Sequence, residues 1–378
     1  MKITVLGRGN AGCLTALHFS YYSRFYKDKN IEVELIHDSK IPTLTVGQAT
    51  TLILPPLIWE ALGTDYFTNS IDLDYTMKTG IMYEGWGKKQ EKIFHPFELG
   101  KYALHYDTQK FQSHILKHAD FKVTVVDKYV ENYDELDGDY IIDCRGWPKD
   151  FENNYNNLIN PLNAVVCSNI PRKEKEVDWT RACATPDGWS FYIPLHDNVS
   201  LGYMYNSDIT TKDEAINNFK NQFGVDNIRE GFPFKQYIAK KPIDGRVIKN
   251  GNMLFFLEPL ESTSVHTYIH WCRGIWDTIV ENKFNEDTAN LIIQDHVKKV
   301  QNFILWHYMN GSKYETKFWS HAKELSENHQ YDNQFFDYLK YSQRTPMNMI
   351  RNTDYDRNNE LYAQWIPWSF KVWHDGVV

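Results

Sequence analysis

Nothing in the sequence builds a disulfide framework. Its five cysteines (Cys13, Cys144, Cys167, Cys183 and Cys272) are odd in number, scattered, and include no C-x-x-C pair. That spacing excludes a zinc knuckle as well and points to a reducing compartment. No apolar run approaches the roughly 20 residues that a membrane-spanning helix requires. The opening MKITVLGRGN reads as a strand and a glycine turn, not as a charged and then apolar leader. Positive charge is not in excess: 41 basic residues stand against 49 acidic ones, and the net −8 is spread along the chain. A nucleic-acid binder would show a basic face, so that class is set aside. G-x-S-x-G elbows, Walker sequences and the zincin pattern are missing, which removes the usual hydrolase, NTPase and metalloprotease readings. A soluble, cytoplasmic protein is expected, with no membrane or nucleic-acid partner.

What is present is aromatic. Trp, Tyr and Phe make up 15% of 378 residues, more than a core requires, and flat π-rich ligands would use such surfaces. Aromatic-heavy packing accounts for the same composition. The length suits two domains or one large α/β unit. The first 50 residues read as β-α-β, with a strand at Lys2–Leu6, a helix at Ala11–Arg24 and a strand at Ile31–Ile36. Between strand and helix lies Gly7-Arg8-Gly9-Asn10-Ala11-Gly12. This is G-x-G-x-x-G in the context that makes it a dinucleotide site: glycines for the tight turn, for approach of a pyrophosphate and for close packing. The helix N-terminus adds oriented N–H groups. Asp38, after the second strand, is the candidate for the ribose hydroxyls.

Further along, residues 103–118 look helical, while 122–126 and 139–146 look like strands. Asp143 and Gly146 close the last of these at a nucleotide-facing edge. Short strands alternate with turns from 161 to 206, including Phe191–Leu195 and Ser200–Tyr205. From Asp213 most segments are helical, with a break at 231–265, and 316–378 is expected to pack as irregular helices. Two segments hold more than structure requires. Lys78 lies in the apolar stretch YTMKTGIMYEGW and could be a desolvated amine with a lowered pKa, or an ordinary surface lysine on a strand. Leu257-Glu258-Pro259-Leu260-Glu261-Ser262-Thr263-Ser264-Val265 follows the apolar strand MLFF (253–256). It could cap a helix and leave N–H groups open to an anion, or be a capped helix start alone. The pairs His114/His118 and His266/His270 have helical i, i+4 spacing but no third ligand, so packing histidines are expected and no metal site.

Taken in order, these strings resemble the flavin-dependent halogenases of the tryptophan-halogenase family. After Gly7–Gly12 come Val46-Gly47-Gln48-Ala49-Thr50, where the family has G-x-G-E-A-T, and then Lys78 at the spacing of the family's catalytic lysine. Tyr140–Gly146, Gly188-Trp189-Ser190-Phe191-Tyr192-Ile193-Pro194 and the E-P-L-E-S-T string at Glu258–Thr263 follow. Phe303, His307-Tyr308 and Phe318-Trp319 complete a resemblance that spans residues 1 to about 320.

The resemblance implies an α/β, Rossmann-like FAD-binding fold of the GR2-type flavin monooxygenase class, with a reduced helical substrate region. Residues 1–270 would form the FAD-binding body, with an inserted substrate-facing sheet at about 80–110 and 160–245, and 271–378 a mainly helical region. It implies FAD as FADH2, a halide (chloride, bromide or iodide) and O2 as co-substrate. A flavin hydroperoxide would oxidise the halide to hypohalous acid, which Lys78 and Glu261 direct at an electron-rich aromatic carbon. Ser262 would link the flavin and substrate sites, and Thr263 and Ser264 would bind the halide. Gly7, Gly9, Asn10, Ala11, Gly12, Asp38, Gln48, Ala49, Thr50, Asp143, Gly146 and Val265 would hold the cofactor. Reduced flavin would come from a separate NAD(P)H-dependent reductase, because a second G-x-G-x-x-G is missing.

Phe191 replaces the second tryptophan of W-x-W-x-I-P, Gln48 replaces the glutamate of G-E-A-T, and the segment 251–256 is several residues short of the family pattern. The later helical region is shorter too. A small electron-rich aromatic other than free tryptophan is therefore the expected substrate. A flavin-dependent aromatic monooxygenase and an inactive flavin-fold binding protein remain the alternatives.

Overall fold

Lys2–Leu6 and Tyr140–Asp143 are mostly apolar runs, the pattern of strands covered on both faces, whereas Glu32–His37 carries two glutamates and a histidine among its apolar residues. In the computed structural model, which describes residues 1–43, 46–97 and 100–344, these three segments form the parallel centre of a six-stranded sheet. Its order is Ile243–Asp244, Val247–Lys249, Tyr140–Asp143, Lys2–Leu6, Glu32–His37, Thr124–Asp127. The helix Asn10–Ser23 packs on this sheet and is buried continuously from Ala11 to Ser20. Its other face meets the helix Thr263–Ile279, where Trp276 lies 5.1–6.0 Å from the rings of Phe19, Tyr22 and Tyr26. Each such aromatic pair adds about 0.5–1.5 kcal/mol beyond its buried area.

A second, seven-stranded sheet runs in the order Glu230–Pro233, Ala164–Pro171, Asn198–Tyr205, Gly188–Pro194, Thr180–Thr185, Gly80–Glu84, Lys92–Pro96. Every pairing is antiparallel except that of Thr180–Thr185 with Gly80–Glu84. A three-stranded sheet, Gly47–Ala49, Ala103–Asp107, Thr76–Lys78, adjoins the seven-stranded one, with the Gly47 N–H donating to Ser200 Oγ (3.1 Å). The described residues thus form the α/β arrangement with a Rossmann-like sheet that the sequence implies. No helix among the described residues is long and apolar enough to cross a membrane.

Three sequence readings need correction. The stretch 103–118 is not one helix: Ala103–Asp107 is a strand, and the helix is Thr108–Lys117. Asp107 caps that helix by accepting from the N–H groups of Gln109 (3.0 Å) and Lys110 (2.9 Å). The strand is buried on both faces and so lacks the period-2 signal that would have separated it from the helix. Met253–Phe256 is not a four-residue strand, because Gly251–Met253 forms a 3₁₀ turn and only Phe255–Phe256 pairs. Gly251 makes that turn at φ 61, with its Cα against Ala11. Finally, Lys317–Glu327 and Asn333–Arg344 are regular helices, and the rest of 316–378 lies outside the described residues.

The glycine turn makes a direct test. A Cβ on Gly12 would sit 1.8 Å from the Gly7 carbonyl oxygen, whereas one on Gly9 would meet nothing within 4 Å. We expect Gly12→Ala to lower the melting temperature by roughly 10 °C or to block folding. Gly9→Ala should melt like the parent protein. Equal melting of the two variants in thermal unfolding would refute this packing of the turn.

Candidate active site

The three-stranded sheet places the lysine. In Thr76–Lys78, alternation turns Thr76 and Lys78 inward, and Lys78 pairs with Ala103 at the strand's end. The next strand, Gly80–Glu84, belongs to the other sheet, so Lys78 stands at the seam and is completely buried. The surface-lysine reading is thereby excluded. The Nζ donates to the Thr50 carbonyl (2.9 Å) and to Ser262 Oγ (2.9 Å), and lies 5.5 Å from the centre of the Phe97 ring. Burial brings its pKa down to about 7, with Glu261 pulling the other way. Thr50 is itself fixed: its N–H and hydroxyl both donate to the Leu104 carbonyl, and the hydroxyl accepts from the Leu104 N–H.

The E-P-L-E-S-T string forms the opposite wall. Glu261 (φ 65) and Ser262 (φ 57) are consecutive left-handed residues, each costing on the order of 1–2 kcal/mol for a non-glycine side chain. Glu258 secures the turn from which they project. Fully buried, it accepts from Asn160 Nδ2 (2.5 Å), Trp189 Nε1 (2.6 Å) and the Tyr308 hydroxyl (2.9 Å). Burial raises its carboxyl to about 6 against the pull of those donors. Glu261 Oε1 receives the Tyr83 hydroxyl and lies 3.6 Å from His95 Nδ1 and 3.4 Å from His307 Nε2. Burial pushes this carboxyl up, but the two imidazoles outweigh it and hold Glu261 well below the usual carboxylate range. Its Oε2 and the Thr263 hydroxyl are buried with no hydrogen-bond partner among the described residues.

Ser262 heads the helix Thr263–Ile279 without a side-chain cap, so Thr263 and Ser264 sit at an uncapped N-terminus with Val265 packed beneath. Phe97, whose ring centre lies 5.5 Å from Lys78 Nζ, is also a wall of a cavity of about 740 Å³ that Lys78 itself does not line, with Thr51, Leu104, Tyr66, Tyr102 and His266 among its other walls. That volume suits a small aromatic ligand.

The nucleotide side fits a flavin cofactor. Gly7 (φ 95) brings the turn against the Cys144 carbonyl, and the backbone at Gly9 is open. Asn10 and Ala11 begin a 14-residue helix with no acidic residue in its first turn. Asn10 Oδ1 accepts from Gln112 Nε2 (3.0 Å). Asp38 follows the strand Glu32–His37 and turns Oδ1 back to the Lys40 N–H (2.9 Å). Gln48 donates to the Ala49 carbonyl (3.3 Å). Asp143, fully buried, is held by Arg145 and by the Tyr133 hydroxyl (2.8 Å), with Gly146 (φ 101) just beyond.

Tyr83, His95 and His307 around Glu261 were not read as site residues from the sequence. His307 falls inside the matched His307-Tyr308 string and Tyr83 inside the stretch YTMKTGIMYEGW, the signals the sequence offered. The histidine pairs separate in space. His114 meets the Thr64 hydroxyl (2.8 Å), whereas His266 and His270 stack with His296 at centroid distances of 4.8–6.4 Å. Among the described residues no group of three or more His, Cys, Asp and Glu could hold a metal ion.

Comparisons with known proteins bear on the family and the fold. The tryptophan halogenase family model matches residues 2–131 and 117–358. The chain is 24% identical over 211 residues to tryptophan 6-halogenase ThaL of Streptomyces albogriseolus, covering 50% of this chain and 39% of that protein. It is 21% identical over 429 residues to tryptophan 7-halogenase RebH of Lentzea aerocolonigenes, covering 86% and 79%. The alignments therefore span well under half of the first relative and about four fifths of the second. The crystal structure of MibH, a lathipeptide tryptophan 5-halogenase, superposes with a TM-score of 0.79 at 21% identity, covering 98% of this chain and 84% of that one.

The buried amine predicts its own effect on stability. The folded protein holds Lys78 near 7, against an ordinary value of 10.5. Between those values the unfolded chain binds the extra proton, so stability rises with pH across that window. Below pH 7 both states are protonated and the full cost of burying the charge applies. We expect Lys78→Met to melt about 5 °C higher than the parent at low pH, and the advantage to shrink as pH rises toward 10. An advantage independent of pH in calorimetry would refute the burial argument.

Proposed function

The chain belongs to the tryptophan-halogenase family, and from that premise we propose that it is an FADH2-dependent halogenase of small electron-rich aromatic compounds other than free tryptophan. The observation that carries this reading is Lys78: a completely buried amine hydrogen-bonded to Thr50 and Ser262, 5.5 Å from the ring centre of Phe97, a wall of the cavity. Hydroxylation would make no use of such an amine.

When bound at Gly7–Gly12, reduced FAD with dioxygen would supply the oxidising equivalents that turn halide into hypohalous acid. Asp38, Gln48, Ala49, Thr50, Asp143, Gly146 and Val265 complete the proposed cofactor surroundings. Reduced flavin arrives from a separate NAD(P)H-dependent reductase. The N–H groups of Thr263 and Ser264, at a helix start that draws anions, hold the halide. Lys78, about half neutral at pH 7, meets the hypohalous acid at the seam. Either its nitrogen takes the halogen, as the halogen–oxygen bond breaks and an amine proton leaves with hydroxide as water, or its N–H polarises the oxidant by hydrogen bonding. Attack by the aromatic carbon forms the carbon–halogen bond as the nitrogen–halogen or oxygen–halogen bond breaks. The carbon's proton goes to Glu261, whose Oε2 has no hydrogen-bond partner among the described residues, and from there to the departing nitrogen or hydroxide, which leaves as amine or water. Ser262 keeps the amine aimed. The exclusion of free tryptophan rests on the sequence, where the segment 251–256 and the later helical region are shorter than the family pattern. The cavity's charged lining residues, Glu60, Asp65 and Lys101, are of both signs. None is an arginine fork suited to an α-carboxylate.

The test is mass spectrometry of a panel of electron-rich aromatics incubated with the protein, FAD, a flavin reductase, NADH, air and chloride, bromide or iodide. A halogen mass shift is expected, with Lys78→Ala reducing it by about 100-fold or more. The rate should rise with pH through about 7 as Lys78 loses its proton. Insertion of oxygen instead would establish a monooxygenase, and no product with any halide would leave a flavin-binding protein without this activity.

A further inference from the structure

His307 takes no part in the reaction outlined above, yet it is completely buried against the reactive carboxylate. It follows directly on the 21-residue helix Glu286–Trp306, as that helix's C-cap. Its Nδ1 lies 2.8 Å from the Phe303 carbonyl oxygen. A carbonyl can only accept, so Nδ1 carries a hydrogen. Its Nε2 lies 3.4 Å from both Glu261 Oε1 and the Tyr83 hydroxyl. The Tyr83 hydrogen is directed at Glu261 Oε1. A neutral imidazole would therefore turn a lone pair toward a carboxylate oxygen and toward the oxygen of a hydroxyl whose hydrogen points elsewhere. A second ring hydrogen, on Nε2, removes that repulsion and makes an imidazolium–carboxylate pair. The end of a long helix is also where a positive charge is favoured, because the last carbonyls point at it.

Resting on the halogenase reading, we propose that His307 is a positioning residue held as an imidazolium, which fixes Oε1 of Glu261 and leaves Oε2 as the oxygen that takes the substrate's proton. Among the described residues, the groups facing Glu261 include Lys78 on Thr76–Lys78, Tyr83 on Gly80–Glu84, His95 on Lys92–Pro96, and His307, with Glu258 three residues back on the same turn. Tyr83 orients the carboxylate but is neutral, and His95 lies farther away than His307. The left-handed backbone at Glu261 and Ser262 leaves the side chain little freedom to relax away from this clamp.

The experiment has an arm independent of turnover. In protein carrying ¹⁵N-histidine, the His307 ring is expected to show both nitrogens protonated at neutral pH, and to lose the Nε2 hydrogen in Glu261→Gln. His307→Gln identifies the resonance; if that variant does not fold, the response to Glu261→Gln identifies it instead. A neutral His307 in the unmodified protein overturns the proposal. In the kinetic arm, His307→Gln keeps an N–H donor without the charge and is expected to lower kcat roughly 10-fold with KM within about twofold. His307→Phe, lacking both, is expected to lose roughly 100-fold in kcat. Equal rates in the two variants, or a change confined to KM, would show a packing role only and overturn the proposal. An unmodified protein that halogenates nothing would sink the halogenase reading while leaving the ring-protonation result to decide the pairing.

Discussion

Taking the Lys78 ammonium out of water costs more than two hydrogen bonds return, and much of the surrounding architecture follows from tolerating that cost. The amine is held between a backbone carbonyl on one wall and a serine hydroxyl on the other, so both walls must be placed to within a few tenths of an ångström. One wall is Thr50, locked to Leu104 through three hydrogen bonds beside the three-stranded sheet. The other is a turn whose two left-handed residues cannot be relaxed locally. A glycine there would remove the strain and with it the side chains, so the strain is borne by packing elsewhere.

Glu258 is where that support concentrates. Three neutral donors from distant parts of the chain converge on it: Asn160, Trp189 on the seven-stranded sheet, and Tyr308 past the helix Glu286–Trp306. This explains why one departure from the family pattern is tolerated. Of the two positions in W-x-W-x-I-P, Trp189 has the polar task, its indole N–H donating to Glu258. Phe191 faces the neighbouring strand, where a Cβ on Gly202 would lie 2.1 Å from its Cζ. That position needs a flat ring over a glycine and no donor, so phenylalanine can stand where the family has tryptophan.

Local structure was legible where it has a local cause. The first β-α-β unit and its glycines were readable because the turn, the phosphate approach and the helix start all lie within a few residues. The strand Ala103–Asp107 was misread because burial on both faces erases the alternation that marks a strand. Lys78 was ambiguous for a related reason: its burial comes from Thr50, Ser262 and Phe97, and only the family's spacing singled it out. Tyr83, His95 and His307 approach Glu261 across separations of 178, 166 and 46 residues, and no periodicity encodes such contacts.

The two glutamates of the one turn show why residue type alone could not assign roles. Glu258 and Glu261 are three residues apart and both fully enclosed, yet they are pushed in opposite directions. Glu258 is surrounded by an amide, an indole and a phenol. Such donors, with a lesser charge interaction from His307, stabilise its charge but do not outweigh burial, and its carboxyl is raised to about 6. Glu261 is flanked by two imidazoles and shares a field with Lys78, so its charge is stabilised despite equal burial. A carboxylate with every oxygen occupied by donors is suited to holding a turn. One whose buried second oxygen has no hydrogen-bond partner among the described residues, kept charged by its neighbours, is suited to taking a proton at the moment a ring releases it. Environment divides the labour between two identical side chains, and the left-handed backbone begins only at the second of them, Glu261.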